Sequence, residues 1–208
     1  LVGLMRVNLL KRMESSINSF KLSTEKLIGQ IDVTLGKIDE SGAYYDPDIS
    51  IEDIDPDDTD LENELIGNKV KVLLKDMDLI KWSQDLSEDR DKLDDILEAA
   101  KMVTEDRDEK LINLKDTIKE KMQHPINGAN KKVVVFTAFA DTAKYLYDAI
   151  APALEGKGIY TAMVTGAGTN QSTIPLTKEQ KRKVKIIDLT TVLTLFSPKS
   201  KEKDKVFP

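Results

Sequence analysis

Residues 133–136, Val-Val-Val-Phe, limit the possible folds more than any other stretch of this chain. A short, continuous, β-branched apolar run is the pattern of a strand covered on both faces, as in parallel sheets. Two lysines, Lys131 and Lys132, precede it, and a Thr-Ala turn follows. Asp141 or Thr142 is placed to cap a helix whose apolar face is Ala143, Leu146, Tyr147 and Ile150. Gly156 and Gly158 end the connection that follows. A second apolar stretch, "IYTAMVTG" at 159–166, reads as another strand, "AGTNQST" as a polar loop, and "VKIIDLTTVLTLF" at 184–196 as a further strand or helix. The β-α-β order predicts a parallel sheet with a right-handed crossover, beginning at residue 131.

Everything upstream reads as charged helix and loop. Leu4, Val7, Leu10 and Met13 start a helical stripe that Ile17, Phe20, Leu27, Ile31 and Leu35 continue. Ser15 and Ser16 are where so long a run can bend, and Gly36 or Gly42 is expected to end it. "KVKVLLKDMD" at 69–78 reads as a short strand or an extended linker. Leu86, Leu93, Ile96, Leu97 and Ala100 mark a helix from Leu79 to about Val103. A last helix, with Thr104 as its candidate cap, runs to about Met122, where Gln123, His124 and Pro125 stop it. The expected organisation is a helical region at 1–125 followed by a sheet-containing domain at 126–208, a mixed α and α/β chain.

Composition narrows the function classes. The 208 residues are 33% charged with a formal net charge of -6, so no global basic surface advertises nucleic acid, although a local face can lie beneath that total. There is no cysteine, which excludes disulfides and thiolate metal sites and makes an intracellular, cytoplasmic origin the expectation. His124 is the single histidine and sits beside Pro125 at a helix end, the place of a dipole partner rather than a zinc ligand. No run approaches the about 20 apolar residues that span a bilayer. The acidic stretch at 46–64, "DPDISIEDIDPDDTDLENE", is interrupted by Pro47 and Pro56 and lacks the glycine of a calcium loop, so it reads as a solvated loop. Both ends, a helical pattern without an initiator Met and a charged "SPKSKEKDKVFP", read as cuts from a longer chain.

No catalytic constellation is complete. The chain has no Ser/His/Asp set, no Cys/His pair and no glycine-rich phosphate loop; "GAG" at 166–168 is not a dinucleotide fingerprint. The candidate site is therefore the carboxyl edge of the two expected strands, Thr137 and Ala138 after the first and Thr165 and Gly166 after the second. Ligands of open parallel sheets bind there. Hydroxyls and free backbone N–H groups suit phosphate oxygens, and glycine admits close approach. Ordinary turn chemistry explains the same residues.

"VVVFTAFADTAKYLYDAI" followed by "YTAMVTG" resembles the motif IV region of superfamily-two helicases of the SWI/SNF-like type. "LMRVNLLKRMESSINSF" at 4–20 is similar to the helix after the first motor lobe of bacterial members, and "LTLFSPKSKE" at 193–202 to the segment before their next motor motifs. The resemblance implies a partial second RecA-like lobe, an incomplete three-layer parallel sheet, preceded by a helical linker. It implies that Thr137 with Ala138, and Thr165 with Gly166, contact a nucleic-acid backbone, with Lys11 and Arg12 as interlobe or DNA-side cations. The implied parent is an ATP-dependent DNA helicase or translocase. ATP and magnesium would be held with the first RecA-like lobe, whose phosphate loop and Asp-Glu-x-His box this chain lacks. RNA in place of DNA is left open, and the Gln-Arg-x-Gly-Arg motif is also absent. Alone, such a segment would not hydrolyse ATP, since phosphoryl transfer needs the loop, the metal carboxylate and the arginine together. A second class of function, a helical protein-interaction module without catalysis, rests on the long amphipathic helices and the missing active site.

Overall fold

A computed structural model describes residues 2–41, 78–126, 128–166, 168, 170–175 and 188–201. The acidic stretch at 46–64, Gly42, residues 69–77 and residues 184–187 lie outside the described residues. The described chain is mostly helical, with one two-stranded sheet. It forms two compact units, Leu1–Thr104 and Glu105–Pro208.

In the first unit, α1 (Val2–Ser15) and α2 (Ile17–Ser41) are separated at Ser16, and α3 spans Leu79–Lys101. The break has a local cause. The Ser16 hydroxyl accepts the N–H of Ser19 at 3.0 Å, a helix-capping bond that starts α2 afresh. Gly36 does not end α2, which continues to Ser41. A glycine inside a helix costs only about 1 kcal/mol relative to alanine, which packing on both sides outweighs. α2 packs against α1 and α3. Its buried positions are Ser19, Thr24, Ile28, Ile31 and Ile38, joined by Leu97 and Ala100 of α3. Of the expected stripe Ile31 is buried, whereas Ile17, Phe20, Leu27 and Leu35 are half-buried and Ile28 takes the buried place beside Leu27.

α1 departs further from its expected face. Val7, Leu10 and Met13 are exposed, whereas Arg12, Ser16 and Ser19 are buried. Small hydroxyl residues at the seam admit a close neighbour, and they are satisfied within the helix: Ser23 and Thr24 donate to the carbonyls of Ser19 and Phe20, each at 2.9 Å. Outside the seam, Arg90 donates to Asp32 at 2.6 Å and ties α3 to α2. That bond, with the charge of Asp32, raises the Arg90 pKa. Asp78 caps α3 by accepting the Lys81 N–H at 3.1 Å.

The second unit contains α4 (Glu109–Gln123), α5 (Ala140–Glu155), β1 (Ala162–Met163), β2 (Gln171–Ser172), α6 (Leu189–Phe196) and a 3-10 turn at Lys199–Lys201. Its core is Leu111 and Ile118 of α4 with Ile150 of α5, flanked by Leu114, Met122, Val133, Tyr145, Leu146, Ala149 and Leu154. Leu111, Leu114, Ile118 and Met122 form one helical stripe, so α4 buries its apolar face within this unit. The α4 cap is Asp108, four residues beyond Thr104; its carboxylate accepts the N–H groups of Lys110 and Leu111 at 3.1 Å. His124 stands at the C-terminal cap, its N–H bonded to the Glu120 carbonyl at 2.7 Å.

The sheet differs from the expected one. β1 and β2 pair antiparallel, Ala162 with Ser172 and Met163 with Gln171, and β2 falls in the stretch read as a polar loop. Thr173 extends the pairing, donating its N–H to the Thr161 carbonyl at 2.9 Å, while its hydroxyl accepts the Thr161 N–H at 2.9 Å. Residues 131–137 form neither helix nor strand. The β-branched run therefore lacks a neighbour to pair with among the described residues, and β-propensity alone does not make a strand without one. The 184–196 alternative resolves, over its described part, to the helix α6. Asp188 caps it, accepting the Thr191 N–H at 2.7 Å, which holds the Asp188 carboxyl below its ordinary value.

Candidate functional site

Thr137 and Ala138 lie on the turn that delivers the chain into α5. The helix begins at Ala140, with Phe139 at the N-cap, so neither Asp141 nor Thr142 is the cap. Phe139 has no side-chain acceptor and makes no side-chain cap bond. The Thr137 hydroxyl accepts the Phe139 N–H at 3.4 Å, the long hydrogen bond of a Thr turn. Asp141 sits in the first turn, where a carboxylate favours the helix dipole, and Thr142 is buried. Ala138 is exposed and Phe136, just before the turn, is 93% exposed.

Thr165 and Gly166 lie in the loop between β1 and β2. The Thr165 N–H donates to Asn170 Oδ1 at 3.0 Å, and its carbonyl accepts the Gly168 N–H at 3.2 Å. A Cβ at Gly166 would meet no neighbour within 4 Å. The glycine that the turn needs is Gly168, at φ +77. Sequence reasoning selected Gly166 from its place after the strand; the left-handed conformation falls two residues later because the chain reverses into an antiparallel return.

Lys11 and Arg12 are adjacent in sequence and opposite in environment. Lys11 is exposed. Arg12 is 2% exposed, and its Nη1 donates to the Ser19 hydroxyl at 3.3 Å. In this conformation Arg12 braces the junction of α1 and α2. Arg12→Ala is expected to lower stability by about 2 kcal/mol, because it leaves the Ser19 hydroxyl buried without this donor and empties the seam. A denaturant melt followed by circular dichroism checks this.

Sequence reasoning missed a partly buried polar contact in the second unit. The Tyr145 hydroxyl donates to Asp108 Oδ2 at 2.9 Å, while Oδ1 of the same carboxylate caps α4. Burial, then the bond to Asp108, raises the Tyr145 pKa. Asp108 was legible only as one acid among many in "TEDRDEK"; Tyr145 is 37 positions away.

Among the described residues no cluster of three or more His, Cys, Asp or Glu is placed to hold a metal ion, and no helix is long and apolar enough to cross a membrane. No protein-family model, curated protein or solved structure matches the chain.

Proposed function

We propose that this chain contributes part of the second, RecA-like lobe of an ATP-dependent DNA helicase or translocase of the SWI/SNF-like type, together with its preceding helical region. The observation that carries the reading is the unit "VVVFTAFADTA", with Thr137 and Ala138 on the turn that leads into the 16-residue helix α5. A hydroxyl and turn amides beside a helix N-terminus suit a phosphate oxygen. Asp141 in the first turn opposes a second anion there, so the grip is one backbone contact and not an anion pocket. ATP and magnesium would bind where the first lobe meets the second in the parent chain. Lys11 would add a cation to the track, and cytoplasmic placement goes with this reading.

Equilibrium binding of a fluorescent duplex to the 208-residue chain tests it. Binding at low salt that weakens as salt rises is the expected result, since phosphate contacts release counterions. Thr137→Ala should weaken it by about fivefold, the value of one hydrogen bond of about 1 kcal/mol. A chain that leaves the duplex free at low salt removes the motor reading.

The exposed α1 residues Val7, Leu10 and Met13 favour a second reading, a helical interaction module. In that case Leu10→Asp abolishes capture of a protein partner and leaves DNA binding unchanged.

A further inference from the structure

Residues 133–136 combine two features that a finished strand does not. Val134, Val135 and Phe136 are 58%, 46% and 93% exposed, while Val133 packs on the core of the second unit. Among the described residues, no hydrogen bond engages the backbone N–H or C=O groups of Val133, Val134, Val135 or Phe136. A row of unpaired backbone donors and acceptors bearing β-branched and aromatic side chains is a template for strand addition.

We infer that this segment is a pairing site for a second copy of the same chain, joined antiparallel through residues 133–136. The occupant follows from charge. The run from Val133 to Ala140, "VVVFTAFA", carries no charged residue, no proline and no glycine in a chain that is 33% charged. Low charge, high β-propensity and absence of proline are the properties of segments that pair with their own kind. Val133–Phe136 themselves offer a nucleic acid neither a cation nor a hydroxyl; the phosphate contact proposed above lies after them, at Thr137 and Ala138. Lys132 lies at the start of the run, where its ammonium donates to the Phe196 carbonyl and stands 5.2 Å from that ring's centre.

Charge also selects the direction. Parallel in-register pairing would set Lys131 against Lys131 and Lys132 against Lys132, which is unfavourable for directly opposed like charges. Antiparallel pairing about an axis between Val134 and Val135 sets Val134 against Val135, Val133 against Phe136, and Lys132 against Thr137. Each contact is then made twice, giving a closed two-fold dimer. The chains each carry a net charge of -6, so salt screens their repulsion and tightens the dimer. The duplex grip proposed above has the opposite salt dependence, and the dimer is read without DNA, so failure of one leaves the other standing.

Sedimentation equilibrium of the 208-residue chain tests the inference. The average mass is expected to rise from 23.3 kDa to a plateau at twice that value as concentration increases, and to rise earlier at higher salt. Val134→Lys should weaken the dimer by at least about tenfold, a change of about 1.4 kcal/mol. Val134 is exposed and outside any helix or strand, so the variant should keep the wild-type melting curve. Phe136→Ser serves the same purpose should Val134→Lys melt early. Leu193→Lys, on the exposed face of α6, should leave the dimer intact. A chain that stays monomeric at every concentration overturns the inference. So does a dimer unaffected by Val134→Lys and Phe136→Ser, or a mass that climbs past the dimer without a plateau.

Discussion

Leu111→Ala is expected to destabilise the second unit by about 3 kcal/mol, within the range for large-to-small changes in a packed core. Leu111 is 1% exposed and sits in the first turn of α4, against Ile118 and Ile150. Truncation removes its share of buried apolar surface and leaves a cavity that the helix cannot close without shifting its capped N-terminus. Leu111→Met, which nearly conserves volume, should cost less than about 1.5 kcal/mol. Urea melts of the two variants check this through their midpoints. Equal and small losses would mean that the Leu111 cluster is not the centre of this unit.

Asp108→Ala is expected to cost about 3 kcal/mol, because one carboxylate accepts three hydrogen bonds, two from the start of α4 and one from Tyr145. Loss of the helix cap contributes about 1 kcal/mol, and the Tyr145 hydroxyl loses its acceptor in a partly buried place. Tyr145→Phe alone should cost about 1 kcal/mol. The double variant should lose less than the sum, since both changes remove the same bond. Additive losses in the cycle would show that the two groups do not interact. The pH dependence has a definite sign. The folded state holds the Tyr145 hydroxyl protonated above its ordinary pKa, about 10 in model peptides, so the unfolded chain ionises first. The stability contributed by this group is complete below about pH 10 and declines as pH rises beyond it. Tyr145→Phe should remove that part of the alkaline decline, measured as melting temperature against pH.

Helix existence was legible for α1 to α5, because apolar spacing records which positions share a face, whereas the short apolar run of α6 read equally as strand or helix. The interruption at Ser15 and Ser16 was legible too, since a serine at that point offers its own cap. Which residues a helix buries was less legible. Val7, Leu10 and Met13 look like a core stripe, yet Arg12, Ser16 and Ser19 fill the seam. Hydropathy does not anticipate small hydroxyls that return their hydrogen bonds to their own helix, or an arginine buried against a serine hydroxyl. The candidate site was legible as two turns after apolar runs. Their surroundings were not: Thr165 entered an antiparallel hairpin because Asn170 and Gly168 reverse the chain there.

By itself the sequence determined the helices α1 to α5, their approximate ends, the absence of any thiol chemistry and the uncharged run at 133–140. Each of these depends on residues within a few positions of one another. Only the tertiary structure decided that α4 packs with α5, that Asp108 and Tyr145 share a bond, that Arg12 is buried while Lys11 is not, and that the 133–136 backbone finds no partner among the described residues. The physical reason is that strands and buried polar pairs complete their hydrogen bonds with distant partners, and one residue's local pattern does not specify whether that partner arrives.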